Sequence, residues 1–336
     1  MPINQQAIAE RLGISISTVS LALRDAPQVA EETRMQVRAV AQELGYRLRA
    51  RRPPRTTTAP KAVEQIAMIT PYEATNPVYS GVLSGIESEC RKQHIALHYR
   101  RFDGANARLL AQLRESDGLL LAGPIAEDAI LEVQRTGRPI VLIDNDLPHL
   151  NLDRALVENI GAFYCIVAQL AAWGHRRIAI MRGPVGNPSF DARLEGYRRA
   201  VARLGLERNE IDPEGSLWPE PIEQGIPGLS KWLRSEKARD VTALIAMNDA
   251  NAIAILQAVQ AAGRQVPDDL SIIGFDDIAA AQLTHPPLTT CHVDWARIGQ
   301  QSVRLLLERI SHPDLPAQAI VQGAVLVERA STRRLR

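Results

Sequence analysis

The feature that most constrains the fold is the alternation of short apolar segments with longer helical segments from about residue 63 onward. Several short segments, such as IAMI, LLLA and IVLI, are continuously apolar, which is typical of strands buried on both faces. The pattern predicts strands at 65–70, 118–122, 140–144, 177–181, 243–247 and 271–275. It predicts helices at 78–91, 127–136, 156–173, 191–204 and 249–262. Such alternation indicates parallel sheets covered by helices.

The alternation of predicted strands and helices is similar before and after residue 160. We therefore expect residues 63–336 to form a body of two α/β lobes around a cleft. Lobe one is expected at about 63–161 and 293–322, and lobe two at about 162–292 and 323–330. Ligands of open parallel sheets bind beyond the carboxyl ends of the strands. Those ends are small or polar here, at Thr70-Pro71, Ala122-Gly123, Asp144, Arg182-Gly183-Pro184, Asn248-Asp249 and Gly274-Phe275-Asp276.

Some of these polar residues also have alternative structural roles. Asn248 can either cap the Ala-rich helix that follows it or contact a ligand. Asp276 is expected at a ligand or a hinge, and Arg193 either contacts the ligand or makes a surface salt bridge. Asp276 and Arg193 together would suit a polyol, because a carboxylate and a guanidinium both bind adjacent hydroxyls in a bidentate manner. Trp218, in the GSLWP segment, is a candidate for stacking on such a ligand.

The first 46 residues follow another pattern, that of three short helices at about 5–12, 16–23 and 31–44. Gly13 allows a tight turn, and Ser15 is a natural N-cap for the second helix. Ala9, Gly13, Ile14 and Val19 have the spacing with which a helix-turn-helix packs its two helices. The predicted inner faces are Val19, Ala22 and Leu23 in the second helix and Val37, Val40, Ala41 and Leu44 in the third.

The charge distribution favours a nucleic-acid partner for this amino-terminal segment. Residues 1–61 contain ten Lys and Arg but five Asp and Glu, a net charge of +5, whereas the remainder has 29 basic and 33 acidic residues. A generic three-helix interaction module is one alternative, and a disordered linker at 47–61 is another. In the DNA-binding interpretation, Ser15 and Thr18 contact phosphate. The second helix then lies in the major groove with Ile16, Ser17, Ser20, Leu21 and Arg24.

The segment IAERLGISISTVSLALRDAPQVAEETRMQVRAVAQELGY resembles the head of the lactose-repressor (LacI/GalR) family. It carries A-x-x-x-G-[IV]-S-x-x-T-V-S, then E-x-T-R and L-G-Y. The likeness continues in the body, for example in NPVYSGVLSGIES, RLEGYRRAV and VPDDLSIIGFDD. It implies a helix-turn-helix head at 1–46, a basic hinge at 47–62 and a periplasmic-binding-protein-like core. It also implies a sequence-specific transcription regulator, most simply a repressor, that is controlled by a small polar effector such as a sugar or its derivative.

The same resemblance implies site residues in both parts of the chain. Carried over position by position, the effector-binding residues of the family fall on Asn76, Tyr79, Arg193, Asn248, Asp276 and Trp295. Trp295 would stack on an apolar face of the ligand, or else belong to the core. In the family the two heads of a homodimer bind successive major grooves of a near-palindromic operator.

The chain departs from the family pattern at the hinge, where Pro53 and Pro54 follow Ala50-Arg51 and the expected leucine is missing. These prolines disfavour a hinge helix, so we expect the hinge to bind DNA mainly through arginines in or beside the minor groove. The DNA-contacting residues expected in this region are Tyr46, Arg47, Arg49, Arg51 and Arg52. Two further departures are Leu21, where many members have an arginine, and Glu158, which replaces an aspartate.

Other functional classes fit the sequence less well. G-x-S-x-G, Walker, G-x-G-x-x-G and H-E-x-x-H motifs are absent, so no catalytic residue, metal or cofactor is expected. Cys90, His94 and His98 do not suggest a metal site, because the histidines enter a predicted strand. A sugar-binding protein without a DNA role and an uncharacterised enzyme on the same fold remain alternatives. The amino terminus has no signal-peptide pattern and the three cysteines are far apart, which indicates a cytoplasmic protein. Because no heptad repeat follows the body, we expect a dimer and not a tetramer.

Overall fold

The computed structural model describes residues 5–23, 29–44, 62–212 and 227–335 of the 336-residue chain. It divides into two compact units, Met1–Ala62 and Val63–Arg336. Within the described ranges, no helix is long and apolar enough to cross a lipid bilayer.

The amino-terminal unit contains three helices, α1 (Gln5–Leu12), α2 (Ile16–Ala22) and α3 (Glu31–Glu43). Gly13 has a φ of +65°, which suits a residue without a Cβ, and the Ile14 amide donates to the Ala9 carbonyl at 3.1 Å to close the turn. The three helices enclose a small core, as the spacing of apolar residues predicted. Its buried members are Ile8, Ala9, Val19, Ala22, Leu23, Val29, Val37 and Ala41.

The larger unit contains a six-stranded, fully parallel sheet in the order β11-β5-β4-β3-β1-β2. Its strands are β1 (Gln65–Thr70), β2 (Ala96–Arg101), β3 (Gly118–Ala122), β4 (Ile140–Ile143), β5 (Asp153–Val157) and β11 (Ala319–Gln322). Four helices accompany it, α4 (Pro77–Gln93), α5 (Ala107–Leu113), α6 (Glu127–Gln134) and α12 (Trp295–Ser311). We call this sheet with its four helices the first lobe.

The second lobe contains a four-stranded parallel sheet in the order β7-β6-β8-β9. Its strands are β6 (Ile178–Met181), β7 (Asn209–Ile211), β8 (Ala243–Ile245) and β9 (Ser271–Ile273). Its helices are α7 (Asn159–Ala172), α8 (Pro188–Arg203), α9 (Pro227–Leu233), α10 (Glu236–Asp240) and α11 (Asp249–Ala261). An antiparallel pair, β10 (Thr290–His292) and β12 (Val325–Val327), lies next to β9, with isolated bridges between Ile273 and Thr289 and between Asp276 and His292.

Strands β1 and β3 have the predicted bounds, but the other predicted strands end or begin earlier or later than expected. The predicted segment 140–144 ends at Ile143, because Asp144 has a φ of +52° and leaves the sheet. The predicted helix 156–173 begins only at Asn159, because β5 continues to Val157. Glu158 then caps the helix by accepting a hydrogen bond from the Gly161 amide at 2.7 Å. The predicted helix 191–204 begins three residues earlier, at Pro188.

Candidate functional site

The first turn of α2 presents a polar surface that begins at Ser15. Ser15 caps the helix, since its Oγ accepts a hydrogen bond from the Thr18 amide at 3.0 Å and lies 2.8 Å from the Thr18 hydroxyl. The next residue, Ile16, is 49% exposed even though it is a large apolar side chain. Val19 and Ala22, on the opposite face, are fully buried. Ile16, in the first turn of this helix, is therefore accessible to a partner.

The other predicted DNA-contacting residues differ in how the structure places them. Leu21 is half-buried and packs against the core of the head, so less of it is available to a partner than the sequence suggested. Ser17 and Ser20 lie in α2, and the structure does not describe their side chains. The remaining predicted contacts lie outside the described residues, and they are Arg24, Tyr46, Arg47, Arg49, Arg51 and Arg52.

A second candidate site is a pocket between the two lobes of the larger unit. The pocket lies beyond the carboxyl ends of β1, β4, β8 and β9, where open parallel sheets bind their ligands. Its lining residues are Tyr72, Asn76, Val78, Tyr79, Asp144, Asn187, Ser189, Phe190, Arg193, Asn248, Asp276 and Trp295.

Six of the seven residues predicted for the effector lie together in this pocket: Asn76, Tyr79, Arg193, Asn248, Asp276 and Trp295. The seventh, Trp218, lies outside the described residues. Asn248 also fills its alternative role, because its Oδ1 accepts a hydrogen bond from the Asn251 amide at 2.9 Å and caps α11.

Three further lining residues, Asn187, Ser189 and Phe190, were not predicted from the sequence, although a local motif marks them. Each lobe contains Asn-Pro followed by a variable residue and an aromatic one, at 76–79 and at 187–190. In both copies the asparagine Oδ1 caps a helix by accepting from the second and third amides, at 3.0 and 3.2 Å in α4 and at 3.1 and 3.2 Å in α8. The repeat of this motif therefore places equivalent residues on the two sides of the cleft.

Asp144, which the sequence predicted only as a strand end, joins the two sides of the cleft. Its Oδ2 accepts a hydrogen bond from the Tyr79 hydroxyl at 3.0 Å, and its Oδ1 accepts one from the Ser189 hydroxyl at 2.7 Å. Burial raises the pKa of Asp144, and Arg193 and the two hydroxyl donors oppose that rise. Tyr79 also packs against Tyr72, with ring centroids 4.3 Å apart.

Arg193 is buried at 3% exposure, so the alternative of a surface salt bridge is wrong. Its Nε donates to Asn159 Oδ1 at 2.8 Å and its Nη1 donates to the Met247 carbonyl at 2.6 Å. The guanidinium also lies 4.2 Å from the ring centroid of Phe275. The protein itself thus uses two of the five N–H donors of this side chain. Its Nη2 lies 3.7 Å from Asp276 Oδ1, too far for a hydrogen bond.

Asp276 and Trp295 each bring a buried polar atom without a hydrogen-bond partner to the pocket. These atoms are Asp276 Oδ1 and Trp295 Nε1, and the two residues are 5% and 6% exposed. Asp276 has a φ of +112°, a strained conformation for a residue with a side chain. Burial raises its pKa well above the usual range, with Asp249 and Asp144 adding to the rise and Arg193 opposing it. Buried polar atoms without partners are costly, so both atoms are suited to a polar ligand.

Two family models match the chain, one in the amino-terminal unit and one in the larger unit. Residues 6–48 match the family described as "Bacterial regulatory proteins, lacI family", and residues 167–332 match the "Periplasmic binding protein-like domain". The transcriptional repressor CytR of Escherichia coli K12 is 30% identical to the chain over 336 residues. That alignment covers 98% of this chain and 96% of CytR.

Two solved structures are similar to the chain in fold and are 26% identical to it. One is the complex of the transcriptional regulator CelR with cellobiose, with a TM-score of 0.70 and coverage of 98% of this chain and 99% of CelR. The other is a LacI family transcriptional regulator from Enterococcus faecium with bound ribose. Its TM-score is also 0.70, and the match covers 81% of this chain and 100% of that one.

Proposed function

The chain belongs to the lacI family of bacterial regulatory proteins, and we propose that it is a transcription repressor whose operator affinity is set by a small polar effector. The observation that carries this proposal is the exposed first turn of α2, which follows the Ser15 cap and keeps Ile16 at the surface. An apolar side chain on such a turn is suited to a thymine methyl group in the major groove.

In this proposal α2 lies in the major groove. Ser15 and Thr18 bind phosphate, and the base-facing residues are Ile16, Ser17, Ser20 and Leu21. Arg24 and the residues Tyr46, Arg47, Arg49, Arg51 and Arg52 add phosphate and minor-groove contacts. A leucine side chain cannot form a hydrogen bond with a base edge. At the base pair that Leu21 faces, the operator half-site should therefore differ from the half-sites of family members that have an arginine at this position.

The effector binds in the cleft, and its contacts are the six predicted residues among those that line the pocket. This assignment is supported by the unpartnered atoms Asp276 Oδ1 and Trp295 Nε1 and by the position of the pocket at the strand ends. It is also supported by the two similar regulators whose structures hold cellobiose and ribose. A ligand that binds one arrangement of the lobes better than another shifts the equilibrium between them, and operator affinity changes by that difference.

The proposal further includes a twofold homodimer, a near-palindromic operator and a cytoplasmic location beside the DNA. Two heads related by a twofold axis bind two half-sites of opposite orientation, which explains why the operator would be near-palindromic. The proposal requires no catalytic step, cofactor or metal.

A gel-shift titration on the DNA upstream of the chain's own gene tests the proposal. We expect a specific complex whose affinity changes when a ligand found by thermal-shift screening is added, because ligand binding raises the stability of the folded state. The absence of any complex at low salt would revive the alternatives of a sugar-binding protein and an enzyme.

A further inference from the structure

A second polar pocket lies in the first lobe, at the edge of its six-stranded sheet. Strand β2 is the last strand of that sheet, and successive side chains of a strand point to opposite faces. Leu97 and Tyr99 pack against the core that contains α4, so His98 and Arg100 lie on the other face. We call the pocket around His98 and Arg100 the edge site, and it shares no lining residue with the pocket in the cleft. Its polar lining residues are Gln65, His98, Arg100, Gln112, Glu115 and Ser116.

The edge site lies beside an apolar core. On the same face of the sheet, Ala67 and Ile69 of β1 are buried and pack in one cluster with Leu109 and Leu113 of α5. His98 is in register with Ala67, and Arg100 is in register with Ile69. Apolar neighbours lower the local dielectric constant, so a charge at this position interacts with an opposite charge more strongly than in open water.

A chain of hydrogen bonds holds the His98 ring in place. The Gln65 Nε2 group donates to the Glu115 carbonyl at 2.9 Å, and this bond leaves Gln65 Oε1 as an acceptor. His98 Nε2 lies 2.9 Å from Gln65 Oε1 and is therefore the donor of that bond. The other ring nitrogen, Nδ1, has no partner among the described residues. In the imidazolium form this nitrogen also donates.

Arg100 brings a guanidinium group that the protein does not use. The side chain is half-buried, yet it makes no hydrogen bond or ion pair with any residue in the described part of the chain. The neighbouring Arg101, by contrast, is exposed and pairs with Glu73. The five N–H donors of Arg100 are thus available to a ligand, and a guanidinium binds phosphate oxygens in a bidentate manner.

Two neutral donors complete the edge site. Ser116 is 4% exposed and lines the pocket, and its hydroxyl has no hydrogen-bond partner within the described ranges. Such a buried polar group is costly unless a water or a ligand satisfies it. Gln112, in the last turn of α5, also lines the pocket with a side-chain amide that bonds to no described residue.

The charges around the edge site favour an anion. Glu115 is the one carboxylate among its lining residues that the structure describes, and it is exposed and makes no ion pair with Arg100. The nearby Asp117 accepts hydrogen bonds from the Glu64 and Gln65 amides. A further guanidinium, that of Arg138, lies next to this segment and donates to the Arg114 carbonyl.

From these contacts we propose that the edge site binds a phosphate group, either as inorganic phosphate or as part of a small phosphate monoester. Arg100 binds two of its oxygens, and Ser116, Gln112 and His98 donate to the others. A phosphate group offers oxygens in several directions, which matches donors that come from two strands, a helix and a loop. The proposal goes beyond the regulator function, because the edge site involves neither the head nor the cleft.

The test is a calorimetric titration of the full-length protein with sodium phosphate and with glycerol 3-phosphate, at constant ionic strength set by sodium chloride. We expect saturable binding with a Kd of about 1 mM or tighter. Tighter binding of glycerol 3-phosphate would assign the site to a phosphorylated metabolite, and tighter binding of inorganic phosphate would assign it to the free ion. Both results support the site, and the absence of saturable binding of either compound overturns it.

Substitutions on β2 and after α5 test which residues bind the phosphate. Arg100→Gln should weaken binding by about tenfold or more, and Ser116→Ala by about threefold or more. Arg101→Gln is the matched control, because it removes the same charge from the next residue of β2 and should change the affinity by less than about twofold. Equal losses of affinity in Arg100→Gln and Arg101→Gln would show that general charge attraction explains the binding.

Hydrogen exchange in the wild-type protein locates the phosphate without any substitution. Residues 1–61 have a net charge of +5 and attract phosphate too, so the place of binding has to be measured. We expect saturating phosphate to slow exchange at residues 98–101 and 112–116, because a ligand stabilises the structure to which it binds. Slower exchange confined to residues 1–61 overturns the proposal. Neither measurement involves DNA, so its result is independent of the regulator function.

Discussion

Ser189 donates a hydrogen bond of 2.7 Å to Asp144, and this bond connects the second lobe to the first across the cleft. The other oxygen of the same carboxylate accepts from Tyr79 of the first lobe. One partly buried carboxylate thus accepts hydrogen bonds from donors on both sides of the pocket. The arrangement of the lobes in the structure therefore depends on a side chain that also lines the pocket.

Ser189→Ala should weaken the contact between the lobes. Loss of the hydrogen bond leaves Asp144 with one donor, and we expect the free energy of unfolding to fall by about 1–3 kcal/mol. Urea denaturation measures this change, and hydrogen exchange should become faster in the first turn of α8. Ser80→Ala is the matched control, because the Ser80 hydroxyl bonds the Pro77 carbonyl within α4 and does not cross the cleft. Equal effects of the two substitutions on exchange in α8 would contradict the prediction.

Asp249 should make the stability of the protein depend on pH between about 4 and 6. It is fully buried, and burial raises its pKa to about 6 although Thr290 and the Ile278 amide donate to it. The folded state binds the proton of the Asp249 carboxyl more tightly than the unfolded state does. The contribution of Asp249 to the free energy of unfolding is therefore largest below the pKa of the unfolded state. This contribution is lost as the pH rises through about 6, and the loss amounts to roughly 3 kcal/mol.

The measurement for Asp249 is the free energy of unfolding as a function of pH in the wild type and in Asp249→Asn. The variant should be less stable overall, since it loses one acceptor, but its stability should fall less steeply from pH 4 to pH 6. Asp191→Asn, at an exposed position, should keep the wild-type slope. Parallel curves for the wild type and Asp249→Asn would show that this carboxyl does not titrate in that range.

Gly85→Ala should destabilise the first lobe. A Cβ at Gly85 would lie 1.9 Å from the carbonyl oxygen of Ala296, so α4 and α12 could not keep their contact. We expect a loss of about 3 kcal/mol, or failure to fold. Gly323→Ala serves as the control, because nothing lies within 4 Å of a Cβ built there. Thermal unfolding of both variants measures the difference, and a Gly85→Ala protein with the wild-type midpoint would refute the close packing.

The triple variant R49A/R51A/R52A should bind the operator more weakly and with a smaller salt dependence. Removing one phosphate contact reduces the slope of log K against log salt by about 0.9, so removing three would reduce it by up to about 2.7. Fluorescence anisotropy at several salt concentrations measures the slope. The control R101A/R135A/R199A removes three exposed arginines of the body that pair with nearby glutamates. An unchanged slope in the hinge variant would mean that these arginines do not contact DNA.

The sequence predicted those elements of the fold whose apolar residues follow a recognisable local pattern and are buried in the structure. Ala9, Gly13 and Val19 have the spacing of a helix-turn-helix, and β1 and β3 contain the continuous apolar segments IAMI and LLLA. Strand β2 was not predicted with its bounds, because it is an edge strand whose sequence, ALHYRR, is mostly polar. Strands β10, β11 and β12 are three or four residues long, too short for a periodicity to be recognised.

The pocket could be predicted only in part, because its composition depends on how the two lobes face each other. Asn248 and Asp276 follow apolar strands directly, so the rule for strand ends identified them. Ser189 and Asp144 are 45 residues apart in sequence, and no local pattern shows that they meet. The paired Asn-Pro motifs at 76–79 and 187–190 are visible in the sequence. They indicate pocket residues only when it is known that the two lobes face each other with equivalent elements across the cleft.

Recognition of a specific DNA sequence by the head is the central claim, and a competition measurement tests it most directly. The full-length protein is titrated against labelled DNA selected from a random library and against a scrambled duplex of the same composition, at physiological salt. We expect a near-palindromic selected site that binds at least about 10³-fold more tightly than the scrambled duplex. Equal affinity for the two duplexes would contradict sequence-specific recognition.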